Sequence, residues 1–287
     1  MSVAPRAVIV TRPTEDELMI RQHGTRQQVA FFLEGRGRDL TDLERRHELQ
    51  QDALVTVAGL IPLDWRRAEV GRSDLDRWLF GPEDVVIAVG QDGLVANVAK
   101  YLRGQPVVGV DPEPGRNPGV LVRHRASAVG GLLDALVEGD GTAALEHRAM
   151  VELEVDDGRR LRALNEVFVG HPSHQSARYT VAWGGREERQ SSSGLVIGTG
   201  TGSTGWCRSL WIERPREWAL PDATSTDLAW FVREAWPSPT TGATLVDGRM
   251  GDRERLELTV QSESLVAFGD GIESVSYTHL TLPTKES

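Results

Sequence analysis

The hydrophobic period of this chain changes once along its length, and that change constrains the fold more than any other feature. Up to about residue 126, continuous apolar runs at 7–11 (Ala-Val-Ile-Val-Thr), 85–89 (Val-Val-Ile-Ala-Val) and 107–110 (Val-Val-Gly-Val) read as strands. Runs of this kind suit strands buried on both faces. Between them, residues 43–60 carry a helical pattern, with Thr41 as the expected cap and Glu44 three residues later. A second helical stripe, Leu94, Val95, Val98, Ala99 and Leu102, joins the last two strands. Alternation of strand and helix predicts a mostly parallel sheet with helices on its faces. Beyond Gly141 the period becomes two: Val151, Leu153, Val155; Ala177, Tyr179, Val181, Trp183; and Leu256, Leu258, Val260 each alternate with polar residues. Turn signals at Asp156-Asp157-Gly158 and Gly184-Gly185 separate these strands, which predicts antiparallel sheets with one face in water. The expected fold class is therefore α/β plus all-β.

The domains expected from this pattern are 1–126, an α/β unit, and 127–273, an antiparallel β unit. The apolar stripe Val129, Leu132, Leu133, Leu136, Val137 is read as a helix bridging the two. A Trp- and Pro-containing stretch, 211–239, reads as an insertion with a short helix near 227–235. The acidic residues Glu152, Glu154, Asp156 and Asp157 read as a solvated strand face. Residues 274–287 resemble the conceptual translation of a sequencing adaptor and are expected to lack packing partners. A net charge of -10 over 287 residues argues against a generic nucleic-acid or anionic-membrane binder. The single cysteine, Cys207, cannot form an intrachain disulfide, which fits a reducing compartment. The first twelve residues read as neither a secretory nor a transit segment, and no apolar run is long enough to span a membrane. The expected setting is a bacterial cytoplasm.

Three segments carry chemistry. The strand at 85–89 runs into Gly90-Gln91-Asp92-Gly93-Leu94, placing a carboxylate between glycines at the carboxyl end of a parallel strand. Open α/β sheets bind ligands there, although Asp92 equally suits a helix N-cap. Asn165-Glu166 interrupts the apolar run Ala163-Leu164 and Val167-Phe168-Val169 with an amide and a carboxylate. Residues 198–206, Gly-Thr-Gly-Thr-Gly-Ser-Thr-Gly-Trp, follow the strand Leu195-Val196-Ile197 and alternate glycines with hydroxyl side chains. Exposed backbone N–H groups and hydroxyls in such a loop suit a phosphate or another polar ligand. No Walker-type phosphate loop or complete dinucleotide fingerprint is present, and His171 and His174 lack metal-ligand partners at ligand spacing.

In this order the three segments resemble the signatures of the NAD kinase family: a Gly-Gly-Asp-Gly-Thr loop, an Asn-Glu pair, and a Thr-Pro-Thr-Gly-Ser-Thr-Ala-Tyr-like segment. The likeness is greatest to the mitochondrial-type branch, through Ala-Leu-Asn-Glu-Val-Phe at 163–168, Ser192-Ser193-Gly194 and Thr199 to Ser203. Residues 106–112 are similar to its next strand and loop. The resemblance covers roughly residues 80–273 and implies a Rossmann-like α/β domain followed by an antiparallel β-sandwich-like domain. The activity it implies is transfer of phosphate from ATP or polyphosphate, with Mg2+ or another divalent cation, to the adenosine ribose 2′-hydroxyl of NAD. On that basis Asp92 would be the catalytic base, and Gly90, Gln91 and Gly93 the phosphate-donor loop. Asp92, Gly93, Asn165, Glu166, Thr201, Gly202, Ser203, Thr204, Gly205 and Trp206 would contact NAD, in a homo-oligomer.

Two departures bear on the donor side. Gln91 stands where the family has its second glycine, and would be strained were φ positive there. Leu94 replaces a threonine and removes a hydroxyl. Kinases of the same fold acting on a sugar or nucleoside alcohol, and a non-catalytic NAD-binding regulator, stand as the alternatives.

Overall fold

The computed structural model describes residues 4–116, 119–137, 145–214, 217–263, 265–271, 273–277 and 280–282. The chain forms two compact units, Met1–Leu145 and Glu146–Ser287.

In the first unit, β1 (Arg6–Thr11) leads through helices α1 (Glu15–His23), α2 (Arg26–Glu34) and α3 (Leu40–Leu60) to β2 (Arg66–Gly71). β3 (Asp84–Val89), α4 (Asp92–Ala99), β4 (Val107–Val110) and α5 (Val129–Val137) complete it. The sheet order is β2-β1-β3-β4, and every pairing is parallel. All six residues of β3 are buried, as its uninterrupted apolar run requires. Ile9, Ile87, Val89 and Val110 pack with Val57 of α3 and with Val129 and Leu133 of α5. Helix α3 starts earlier than the Thr41 cap predicts, because the Asp39 carboxylate accepts the Thr41 N–H.

α5 does not bridge the units. Val129 and Leu133 are fully buried in the first core, so the division falls after Leu145 and not at 126. Burying an aliphatic side chain contributes about 1.5–3 kcal/mol, which ties this helix to the parallel sheet.

The second unit holds β5 (Val151–Glu154), β6 (Arg160–Ala163), β7 (Glu166–Gly170), β8 (Ala177–Trp183), β9 (Arg186–Ser192), β10 (Gly194–Gly198) and α6 (Trp206–Ile212). β11 (Leu228–Arg233), β12 (Asp247–Met250), β13 (Leu256–Val260), β14 (Leu265–Gly269), β15 (Glu273–Tyr277) and β16 (Leu280–Leu282) follow. Two six-stranded sheets result, β12-β11-β10-β7-β14-β15 and β6-β5-β16-β13-β8-β9. Their pairings are antiparallel. The alternating residues predicted to face inward do so: Val151, Leu153, Tyr179, Val181, Leu256 and Leu258 meet Val167, Val169, Leu195, Ile197 and Trp230 in one core. The back of the first sheet is covered by α6, where Val196, Ala229 and Phe231 pack on Cys207 and Leu210.

Three expectations are corrected here. The stretch near 227–235 is a strand, β11, not a helix; its run Leu-Ala-Trp-Phe-Val is buried on both faces between β10 and β12. Glu152 is not solvated: it is 4% exposed and pairs across the β5–β6 register with Arg162 at 2.5 Å and with Arg160 at 3.3 Å. The segment expected to lack partners supplies β16 and most of β15. β15 extends the sheet beside β14, and β16 lies between β5 and β13. Strand edges present main-chain donors and acceptors that pair with any extended chain, whatever its side chains.

Candidate functional site

The carboxyl end of the parallel sheet gathers four loops. The register pairs Thr11 with Gly71, and Val89 with Val110, so Arg12, Arg72, Gly90 and Asp111 all emerge at one edge. Gln91 caps α4 with φ -111°, an extended conformation, so the residue replacing glycine carries no strain. Leu94 is 1% exposed and packs under Gly90, so this position serves the core and not the surface of the loop.

Asp92 is neither the cap nor a free carboxylate. It begins α4, and its oxygens accept the N–H groups of Val120 (2.7 Å), Leu121 (3.0 Å) and Val122 (2.9 Å). That clasp folds the 119–124 segment back along β4, where His124 O accepts from Asp111 N and Gly109 O accepts from His124 N. A carboxylate offers about four lone-pair sites, so three donors leave Asp92 little capacity for another. A cavity of about 330 Å³ opens here, lined by Gly90, Gln91, Asp92, Gly93, Asp111, Gly119 and Val122.

The second unit repeats the device. Asp270, in a left-handed turn (φ 48°) before Gly271, accepts from Leu164 N (2.9 Å), Asn165 N (2.8 Å) and Glu166 N (3.3 Å). This holds the backbone of the Asn-Glu pair at the start of β7. Among the described residues, the Asn165 amide and the Glu166 carboxyl make no side-chain hydrogen bond, although both are half-buried. Burial, and then the charge of Asp270, push the Glu166 carboxyl from 4.5 up to about 7. It is thus poised to change charge near neutrality, as functional carboxyls often are.

The 198–206 loop lies against the same backbone. Thr199 N donates to Asn165 O at 2.9 Å, and the Thr199 hydroxyl to Leu164 O at 2.6 Å. The hydroxyls of Ser203 and Thr204 donate to Thr199 O and Thr201 O, and Thr201 Oγ1 accepts from Arg148. The hydroxyls therefore brace the loop from within. Its glycines serve close approach: a Cβ on Gly202 would lie 2.2 Å from Asn165 O, and one on Gly200 1.7 Å from Asp222 O.

Of the predicted contacts, Thr201, Gly202 and Ser203 are buried, whereas Thr204, Gly205 and Trp206 are exposed. Trp206 stacks on Phe168 at 5.6 Å, and the Arg233 guanidinium lies 5.5 Å from the Trp206 ring centroid. The resulting aromatic surface starts two residues along β7 from Glu166. Cys207 is buried, and burial followed by the Glu166 charge pushes its thiol up to about 12, far from nucleophilic use.

Asp270 and Arg12 lie outside the set of site residues that the sequence predicts. The signal for the first was present: Asp270-Gly271 follows an apolar strand, as Asp92-Gly93 nearly does.

A parallel α/β unit with a Gly-x-Asp-Gly loop at its carboxyl edge, joined to a six-on-six antiparallel sandwich carrying the Asn-Glu and glycine-hydroxyl loops, has the NAD kinase fold. The crystal structure of an NAD kinase from Archaeoglobus fulgidus in complex with ATP matches with a TM-score of 0.58, over 98% of this chain and 90% of that one, at 16% identity. In sequence, the chain is 31% identical over 181 residues to NAD kinase 2, mitochondrial, of Rattus norvegicus, covering 48% of this chain and 43% of the relative. The Homo sapiens protein of that name is 29% identical over 181 residues, covering 48% and 41%. The chain thus spans less than half the length of these relatives. No family model matches it.

Proposed function

We propose that this chain is a phosphotransferase of the NAD kinase type, converting NAD to NADP by phosphorylating the adenosine ribose 2′-hydroxyl. The observation that carries this reading is the Asn165–Glu166 pair. An amide and a carboxyl are fixed through their backbone by Asp270, yet their side chains are left unpaired among the described residues. Half-buried polar side chains that no described protein group engages are free to meet a ligand, and a ribose diol has the matching donors and acceptors. The ATP complex of the A. fulgidus NAD kinase and the names of the mitochondrial relatives support the same acceptor and donor.

In this reading Asn165 and Glu166 orient the dinucleotide, with Thr204, Gly205 and Trp206 presenting the exposed part of the loop. The buried Thr201, Gly202 and Ser203 shape it from behind. Gly90, Gln91 and Gly93 form the donor loop. Phosphoryl transfer asks mainly for positioning and charge stabilisation, with one base near the hydroxyl. Asp92 is the base that the family resemblance implies. Glu166 is a second candidate, because an acid near 7 is better matched to neutral operation and its oxygens are unengaged. The pH–rate profile separates them: a limb near neutrality that disappears in Glu166→Gln assigns the base to Glu166.

Among the described residues, no group of three His, Cys, Asp or Glu side chains is arranged to hold a metal. A divalent cation would therefore arrive on the donor phosphates, as magnesium commonly does. The buried single thiol suits a cytoplasmic protein, and a homo-oligomer remains the expected assembly, checked by light scattering.

The test is direct: the full chain with NAD, Mg2+ and either ATP or polyphosphate should form NADP. NAD binding without product from either donor would instead make this a dinucleotide-binding regulator, and product only from a sugar or nucleoside would change the acceptor.

A further inference from the structure

Arg12 follows β1, and its guanidinium reaches across to β3, donating to Gln91 Oε1 at 2.8 Å. That is its one side-chain hydrogen bond among the described residues, and the acceptor is neutral. No carboxylate among the described residues forms an ion pair with it. Its charge is instead opposed by burial, and then by the nearby charges of Arg72 and Arg46, all of which lower its pKa. Arg72 emerges beside it, since Thr11 and Gly71 are register partners, and makes no ion pair among the described residues. Arg46 is already committed to Glu15 at 3.0 Å and Glu113 at 3.6 Å. The carboxylates in the adjoining cavity are also engaged: Asp92 by three N–H groups, and Asp111 by the Glu113 N–H at 2.9 Å.

Two half-buried guanidinium groups, uncompensated among the described residues, thus sit at the edge where the Gly90–Gly93 backbone opens. Holding like charges together out of water is unfavourable unless an anion joins them. Guanidinium groups are well suited to phosphate oxygens through paired N–H donors.

We propose that Arg12 and Arg72 bind the phosphate chain of the donor, a nucleoside triphosphate or inorganic polyphosphate, and that Gln91 is the positioning residue that aims Arg12. Gln91, where the family has glycine, then brings a held arginine to the donor loop. The assignment rests on the phosphotransfer reading for its purpose, but its binding chemistry can be measured without turnover.

The experiment titrates the full chain with inorganic tripolyphosphate alone, with ATP, and with NAD, by calorimetry at two salt concentrations. Arg12→Ala and Arg72→Ala should each weaken tripolyphosphate and ATP binding about tenfold or more, with a shallower salt dependence and unchanged NAD affinity. Arg12→Lys keeps the charge without the fork and should fall between. Gln91→Gly should raise KM for the donor several-fold with kcat retained. Thermal midpoints equal to that of the unsubstituted chain show that each variant is folded, and Arg12→Gln serves if Arg12→Ala is not. Unchanged tripolyphosphate and ATP binding in both Arg12→Gln and Arg72→Ala overturns the site, even if NADP is formed. Arginine-dependent binding of tripolyphosphate without any NADP leaves the site standing and removes the kinase reading. Arginine dependence for ATP but not tripolyphosphate restricts the donor to the nucleotide, and the reverse restricts it to polyphosphate.

Discussion

Glu166→Gln should make this protein more stable at neutral pH while weakening its grip on NAD. The folded-state carboxyl is raised from 4.5 to about 7, first by burial and second by the charge of Asp270. A raised folded-state value means that folding favours the protonated form. That contribution is whole below the unfolded value and is lost as pH rises through the folded one. At about 1.4 kcal/mol per pH unit, the shift corresponds to about 3.5 kcal/mol, and to roughly 2–3 kcal/mol once the water that reaches a half-buried group is allowed for. Glutamine cannot ionise, keeps a comparable shape, and therefore escapes the loss. Guanidinium unfolding curves, followed by the fluorescence of the eight tryptophans, should coincide for the two proteins near pH 4. They should then diverge until the variant is more stable by about 2–3 kcal/mol near pH 8. The NAD dissociation constant should rise in the same variant, since the amide cannot replace the carboxyl toward a ribose diol. Parallel stability curves from acid to alkaline pH would refute the coupling of Glu166 to its burial and to Asp270. A stabilising substitution that harms binding is the pattern expected where a site holds charge for function.

Three further outcomes test the geometry. Asp92→Asn should lower stability by about 1.5–3 kcal/mol by weakening the clasp on Val120, Leu121 and Val122. It should also reduce phosphorylation at least about a hundredfold if Asp92 is the base, so loss of turnover at full stability would dismiss the clasp. Asn165→Ala should raise the NAD dissociation constant about tenfold while changing stability by under about 0.5 kcal/mol, because its amide has no side-chain partner among the described residues; calorimetry and thermal denaturation read the two effects separately. Gly202→Ala drives a methyl to within 2.2 Å of Asn165 O, so it should cost at least about 2 kcal/mol and disturb NAD binding together. A variant with native melting and affinity would show that the loop does not seat there.

The layered architecture was legible because hydrophobic period reports directly on which faces of a segment are buried. The runs at 85–89 and 107–110 could only be strands covered on both sides, and Tyr179, Val181, Leu256 and Leu258 could only share one inward face. The misreadings came where local signals compete. Trp and Pro punctuation around β11 suggests an insertion with a helix, although the run Leu-Ala-Trp-Phe-Val is itself a doubly buried strand. The apolar stripe of α5 shows that a helix packs, not what it packs against, and it is the first core that receives it.

The same division holds for the site. The residue types, and the order of the Asp-Gly, Asn-Glu and glycine-hydroxyl segments, were set by the chain alone, and with them the kind of ligand it can meet. What each group does was decided only by tertiary contacts. Asp92 and Asp270 each take up three consecutive N–H groups, from partners 28 to 30 and 104 to 106 residues away. The loop hydroxyls turn inward, the Glu166 carboxyl acquires its unusual affinity for a proton, and Arg12 meets Gln91 across 79 residues. Hydrogen bonds and desolvation depend on distance and burial in three dimensions, and neither quantity is encoded in the spacing of residues along the chain.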